Sequence, residues 1–327
     1  MRRMAEWLVV WCLAMAAGVA AAKGPVVTDP AKADADFAFQ GEYQGDVPAP
    51  DGMRKFGVQI IALGNGTFHA VGYPGGLPGE GWVGEEKIEA DGKLEDGAVV
   101  FRTDAGTGRV ANEQIVVSDG NGNVVATIPK VERKSPSLNA ASPAGAVVLF
   151  DGKNADAWQN GKLDGDQLVQ GTTSKQAFGS HILHIEFRLP YQPEDRGQGR
   201  GNSGIYLQGR YEVQMLDSFG LKGEHNECGG IYSVKNPSVN MCLPPLAWQT
   251  YDIDYTAAKY DAAGKLAANP RVTVKHNGVT IHDNVELPGE RVTTAAPSKA
   301  GPAPGPVYLQ DHGNPVRYRN IWVVEKK

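Results

Sequence analysis

The sequence predicts an all-β chain in two parts, the second about the size of a single β-sandwich, and three observations carry that expectation. The chain holds 41 glycines and 21 prolines in 327 residues, a turn-rich composition that is high for a helical protein yet short of the range that signals disorder. No segment sustains a helical apolar period. The stretch 199–217, GRGNSGIYLQGRYEVQMLD, alternates instead: Ile205 and Leu207 with Tyr206 and Gln208, then, beyond Gly209, Tyr211, Val213 and Met215 with Glu212 and Gln214. That is the two-residue period of half-buried strands, with one face apolar and the other chemically equipped.

Arg2 and Arg3 precede an apolar run from Trp7 to Val19, and Ala20-Ala21-Ala22 offers a small-residue cleavage site. Residues 1–22 are therefore expected to be a secretory signal peptide, and the mature protein to be periplasmic or secreted. The run is too short for a comfortable membrane span, and no second one of spanning length follows. Losing Arg2, Arg3 and Glu6 moves the formal net charge from −5 to −6, a balance that argues against nucleic acid and anionic membranes as partners. Cys12 leaves with the leader. Cys228 and Cys242 remain, and in an oxidising compartment they are expected to form a disulfide. Neither has zinc-ligand spacing, with His225 a single weak candidate.

The first domain is expected over 37–131 as a small β-domain. Strands at 58–63 and 67–71 flank Gly64-Asn65-Gly66, a hairpin signature, and 99–102, 114–117 and 124–128 read as further strands. The loop at 118–123, SDGNGN, resembles the start of a calcium loop but lacks the distal Glu, so a tight turn is the better reading. Residues 132–145, ERKSPSLNAASPAG, read as a linker. The second domain, 146–327, has expected strands at 183–189, 203–208, 211–216, 230–233, 249–256, 271–276, 279–284, 307–311 and 316–325. The G-x-G-x-x-G match at 199–204 leads into a strand and not from a strand into a helix, so it lacks the context of a dinucleotide site.

The motifs VVLFDGKNADAW, HIEFRLP, GNSGIYLQGRYEVQMLD, NECGGIY, WQTYDIDY, VKHNGVTIHDN and YLQDHGNPVRYRNIWV, in that order, resemble the 3-keto-disaccharide hydrolase family over residues 146–327. The elongated GNSGIYLQGRYEVQMLDSFG form and the fused N-terminal β-domain resemble its secreted planctomycete-type members. The resemblance implies a concanavalin-like jelly roll of two antiparallel sheets, and cleavage of 3-keto-glycosides by elimination across C1–C2 followed by hydration. Such chemistry needs a base for the hydrogen on C2, which the C3 ketone acidifies, an electrophile for the enolate oxygen, and an acid for the departing C1 oxygen.

Strand parity, with the jelly roll implied by the family, places Glu186, Tyr206, Glu212, Gln214, Gln310, His312 and Arg319 on polar faces expected to line one concave surface. Arg200 and Asn202 enter from the preceding loop, and Asp217 closes the far end. Glu212 and His312 are the expected acid/base pair, with Asp217 a third member. Arg200 and Arg319 are candidates for holding an oxyanion; Glu186, Asn202, Tyr206, Gln214 and Gln310 for gripping sugar hydroxyls; and Trp248 for stacking on a ring. Plainer roles compete: a Glu212–Arg319 cross-strand ion pair, His312 as a turn residue, Asp217 as a cap on the turn at 218–220, and Trp248 as core. No cofactor is assigned and metal dependence is open; a divalent cation would be held only if Asp217, Glu212 and His312 converge. The alternative function is a non-catalytic, lectin-like carbohydrate-binding module, since jelly rolls serve both ends.

Overall fold

The computed structural model describes residues 24–326; the leader assigned to 1–22 lies outside them. Eight antiparallel strands form a closed barrel in the order Gly41–Ala49, Val124–Val131, Gln114–Asp119, Gly106–Ala111, Ala98–Thr103, Ile88–Glu95, Thr67–Pro74 and Gly52–Gly64, the last pairing back onto the first. Closure leaves no unpaired sheet edge. The expected hairpin turn sets Asn65 at φ 54° and Gly66 at φ 69°, the left-handed pair that a type I′ turn requires. Tyr43, Ile60, Phe68, Val99, Val110 and Ile128 fill the interior.

The second unit is a sandwich of two antiparallel sheets, as the jelly-roll expectation required. The larger sheet runs in the order Leu163–Asp164, Gln167–Val169, Arg317–Glu325, His181–Arg188, Trp248–Thr256, Arg271–His276 and Val279–Glu286, with Val147–Phe150 also pairing to Arg317–Glu325. The smaller runs Trp158–Gln159, Thr172–Phe178, Gly305–Leu309, Ser203–Leu207 and Tyr211–Met215. Between them, Leu183, Ile185 and Phe187 of one sheet meet Ile205, Val213 and Leu309 of the other in a single buried cluster. Each such side chain contributes roughly 1.5–3 kcal/mol by leaving water. The segment expected as a strand at 230–233 makes only isolated bridges, Val213 to Ile231 and Ile231 to Lys235.

The disulfide expectation is corrected: Cys228 and Cys242 are free, buried thiols. Cys228 Sγ lies 3.2 Å from the Tyr251 hydroxyl, and Cys242 Sγ faces the Leu216 carbonyl at 3.5 Å. Both belong to the sandwich core, where they pack as small apolar groups.

Barrel and sandwich are joined by more than the connecting segment. Val27 pairs with Tyr191, and Tyr191 and Leu246 from the sandwich belong to the barrel's apolar cluster. Phe219 packs with Ile61, Val71 and Tyr73. The segment 132–145 is held to both units. Arg133 grips Glu42 through Nε at 2.7 Å and Nη2 at 2.5 Å, Ser135 Oγ bonds Thr250 Oγ1 at 2.6 Å, and the Asn139 N–H donates to Glu186 at 2.5 Å. Among the described residues, no helix is long and apolar enough to cross a membrane.

Candidate functional site

The hairpin Ser203–Leu207 and Tyr211–Met215 turns Ile205, Leu207, Tyr211, Val213 and Met215 into the core, so Tyr206, Glu212 and Gln214 face outward from the smaller sheet. The register sets Tyr206 opposite Glu212 and Gly204 opposite Gln214. Outward does not mean wet here: Tyr206, Glu212 and Gln214 are 0%, 2% and 1% exposed. The Tyr206 hydroxyl lies 2.7 Å from Glu212 Oε2 and 3.0 Å from the Thr294 carbonyl. It can donate to an ionised Glu212, or turn to Thr294 and accept from a protonated one, so both states of the carboxyl are satisfied. Gln310 Nε2 donates to the same hydroxyl at 3.2 Å.

The Gln214 amide fits best with its nitrogen 3.0 Å from Glu212 Oε1 and 3.0 Å from the Ser203 carbonyl. Thr293 Oγ1 accepts the Glu212 backbone N–H at 3.0 Å. Burial outweighs the Tyr206 hydrogen bond and pushes the Glu212 pKa from 4.5 up to about 8, which sets a carboxyl to exchange protons near neutrality. Half-buried Gln198, Tyr232, Tyr308 and Gln310 neighbour this group through Gln214 and Tyr206.

Gly204 makes room for the carboxyl. A Cβ built there would stand 2.0 Å from Glu212 Oε1, so only glycine allows Glu212 to lie flat across the neighbouring strand. Gly204→Ala is expected to displace the carboxyl and reduce turnover by about 100-fold or more, at a stability cost of about 1–3 kcal/mol. Steady-state kinetics beside a urea titration separates the two effects.

Asn202 joins the same surface. Its side-chain nitrogen donates to the Gln198 carbonyl at 2.8 Å, and its backbone N–H donates to Asn314 Oδ1 at 3.1 Å. The second bond ties the Asn202 loop to the loop that carries His312. His312 is half-buried in that loop, and its Nδ1 is buried without a hydrogen-bond partner among the described residues. Glu212, His312 and Asp217 do not converge into a cation site: no group of three or more His, Cys, Asp or Glu placed to hold a metal ion occurs among the described residues.

Five of the expected site residues stand elsewhere. Arg200 and Asp217 bind each other, Nε to Oδ2 at 2.7 Å, with the side chains 6% and 1% exposed. The remaining nitrogens of Arg200 face the carbonyls of Pro193 at 3.4 Å and of barrel residue Ala62 at 3.3 Å. Asp217 Oδ1 also takes the Phe219 N–H at 3.4 Å, the turn-capping role. This pair ties sandwich to barrel, leaving neither an oxyanion-holding guanidinium nor a free carboxylate.

Glu186, Arg319 and Trp248 lie on the other side of the molecule. Leu183, Ile185, Phe187, Tyr318 and Ile321 fill the core from the larger sheet, so Glu186 and Arg319 point outward from that sheet, while Glu212 points outward from the smaller one. Two sheets, stacked about 10 Å apart, stand between them. Arg319 Nε bonds Glu186 Oε2 at 2.7 Å, and its guanidinium lies 4.1 Å from the Trp248 ring centroid. Arg188 lies over the same ring at 5.0 Å. The carboxylate anchors the connecting segment through Asn139, and it also accepts from Asn320 at 2.9 Å.

Residues with no expected role complete this far face. His184 Nδ1 bonds Asp252 Oδ1 at 2.6 Å and its ring stacks on Trp322, while Ser137 Oγ donates to Asp252 Oδ2 at 2.6 Å. Burial alone would lower the His184 pKa, but bonds to Asp252 and Glu186 more than reverse it. Burial likewise works to raise Glu186, and donors from His184, Asn320, Arg319 and Asn139 win, holding it at about 2. Because the folded value lies below the unfolded one, this carboxylate's contribution is complete above pH 4.5 and is lost as pH falls through about 2. Glu186→Gln is expected to flatten acid unfolding in that window, read as thermal midpoints from pH 5 to 2.

Residues 145–324 match the family model described as a 3-keto-alpha-glucoside-1,2-lyase-like domain. A candidate glycosyl hydrolase from Parabacteroides distasonis ATCC 8503 is 34% identical, the match covering 57% of this chain and 85% of that one at a TM-score of 0.52. A second candidate glycosyl hydrolase from the same organism is 17% identical over 56% of this chain and 95% of its own, at a TM-score of 0.41. No protein of curated function matches the chain.

Proposed function

The chain belongs to the 3-keto-alpha-glucoside-1,2-lyase-like family, and from that membership and the poised carboxyl of Glu212 we propose an exported carbohydrate-active enzyme that cleaves 3-keto-glycosides by C1–C2 elimination and hydration. The observation that carries this reading is the geometry of Glu212, 2% exposed and 2.7 Å from the Tyr206 hydroxyl in a buried hydrogen-bonded cluster with Gln214, Gln310 and Asn202, where burial raises its pKa to about 8. At pH 7 the carboxyl is mostly protonated, which makes Glu212 the acid and assigns the base to His312.

His312 removes the hydrogen on C2, the electron pair forms the C1=C2 bond, and the C1–O bond breaks as Glu212 protonates the departing oxygen. Water then adds across the double bond, hydroxyl to C1 and hydrogen to C2, and both groups return to their starting states. The amide nitrogen of Gln310, which gives one N–H to Tyr206 at 3.2 Å, replaces Arg200 and Arg319 as the donor toward the enolate oxygen. Burial and the neighbouring Glu212 carboxyl hold the Tyr206 hydroxyl well above its ordinary pKa, so it serves as a neutral hydrogen-bond partner and not as a base.

The test is turnover of a 3-keto-glucoside in D2O, beside the same glucoside unoxidised. Elimination and hydration release the aglycone from the ketone only and leave solvent deuterium on C2 of the product beyond the level in an enzyme-free control. Equal release from the unoxidised glycoside, or product without added deuterium at C2, contradicts the mechanism.

A further inference from the structure

The junction of barrel and sandwich encloses a cleft of about 580 Å³, within the size range of small-ligand sites. Its apolar lining comes from both units: Ile61 and Trp82 from the barrel side, Phe219 and Leu221 from the sandwich. Leu221 remains 42% exposed. Trp82 is fixed by its Nε1–H donating to the Glu85 carbonyl at 3.0 Å and by an edge contact with Tyr73 at 5.4 Å.

The charges around this lining do not cancel. Its carboxylates have cationic or imidazole partners: Glu85 with Arg54, Glu89 with His69 at 3.5 Å, and Asp217 with Arg200 at 2.7 Å. Two cations have no carboxylate at ion-pair distance among the described residues. Arg196 gives three of its five N–H donors to the carbonyls of Pro193, Asp195 and Leu63. Lys87 donates to the Leu221 carbonyl at 3.3 Å, and its ammonium lies over the rings of Tyr73 and Trp82 at 5.2 and 5.4 Å. Desolvation, the largest effect on it, holds the Lys87 pKa below its ordinary value; an arriving anion would relieve that cost.

We propose that this cleft binds a carboxylate carried on a ring, with the ring against Trp82, Phe219 and Leu221 and the carboxylate between Lys87 and Arg196. Two sources share that chemistry, an acidic sugar and an aromatic acid. The site is separate from Glu212. Half of it is built by the barrel, which gives the fused domain a role in ligand recognition.

Calorimetric titration with glucuronate, benzoate and glucose, each up to about 10 mM, tests the assignment. Binding of glucuronate alone identifies an acidic sugar, and binding of benzoate alone or of both identifies an aromatic or general ring carboxylate; each supports the site. Glucose is expected to bind at least about tenfold more weakly, and Lys87→Gln to weaken the acid by at least about tenfold. Raising salt from about 0.05 to 0.5 M should weaken it further. Trp82→Leu serves as the second variant, and Glu212→Gln should bind as the wild type does. No acid binding, glucose binding equally well, or affinity indifferent to both cleft variants overturns the proposal. Loss of binding in Glu212→Gln also overturns it, by moving the ligand to the other site.

Discussion

Glu212→Gln is expected to abolish turnover while making the protein more stable at neutral and alkaline pH. Removing a general acid costs about 10²–10⁴ in rate. The stability gain follows from the raised pKa: an unfolded Glu ionises near 4.5, whereas the folded one keeps its proton to about 8. Between those values the unfolded state has released a proton that the folded state retains, so wild-type stability falls as pH rises through that window. Gln has no proton to release over that range, and its amide oxygen still accepts from the Tyr206 hydroxyl. The advantage of the variant should be absent below pH 4.5 and level off above pH 8, at on the order of a few kcal/mol. Calorimetric melts at pH 4 and pH 8.5 would show the divergence. An equal or lower melting temperature for the variant at both pH values would mean that Glu212 is an ordinary ionised carboxylate.

Asp217→Ala is expected to act in the opposite sense, through folding and not through chemistry. It strands the Arg200 guanidinium in a setting where it is 6% exposed, and loss of one partner from a buried pair costs about 3–5 kcal/mol. The double replacement Arg200→Met with Asp217→Leu should recover much of that loss, since no charge is left unpaired. Urea titrations of the wild type and the two variants give the comparison, and the turnover of the protein that remains folded should match the wild type. A stable but inactive Asp217→Ala protein would return this carboxylate to the reaction.

The hairpin that carries Glu212 was legible because Ile205, Leu207, Tyr211, Val213 and Met215 alternate cleanly with Tyr206, Glu212 and Gln214. Alternation says which side chains leave the core, and no more than that. In a two-sheet sandwich the outside is two opposite surfaces, which is why Glu186 and Arg319, outward by the same rule, bond each other on the larger sheet instead of joining Glu212. The far-face partners were hidden for a related reason. Asp252 looks like a solvated strand residue until the segment 132–145 lays Ser137 across it, a contact that no local pattern encodes.

The barrel was readable only in part. Gly52–Gly64, Thr67–Pro74 and Ala98–Thr103 carry β-branched and aromatic residues, whereas Ile88–Glu95 and Gly106–Ala111 are rich in Gly, Ala and charge. Ring closure holds those two strands by backbone pairing on both sides, so they need little side-chain pattern of their own. The thiols illustrate the same limit. Two cysteines in a chain expected to be exported suggest a bond, yet Cys228 sits against the Tyr251 hydroxyl, inside a core whose packing the spacing could not convey.

An acid role for Glu212 requires it to hold its proton at pH 7, and a carboxyl ¹³C NMR titration of glutamate-labelled protein, assigned by the resonance missing from Glu212→Gln, measures that directly. The predicted midpoint is about 8. A midpoint in the ordinary carboxylate range, near 4, would contradict the assignment of Glu212 as the acid.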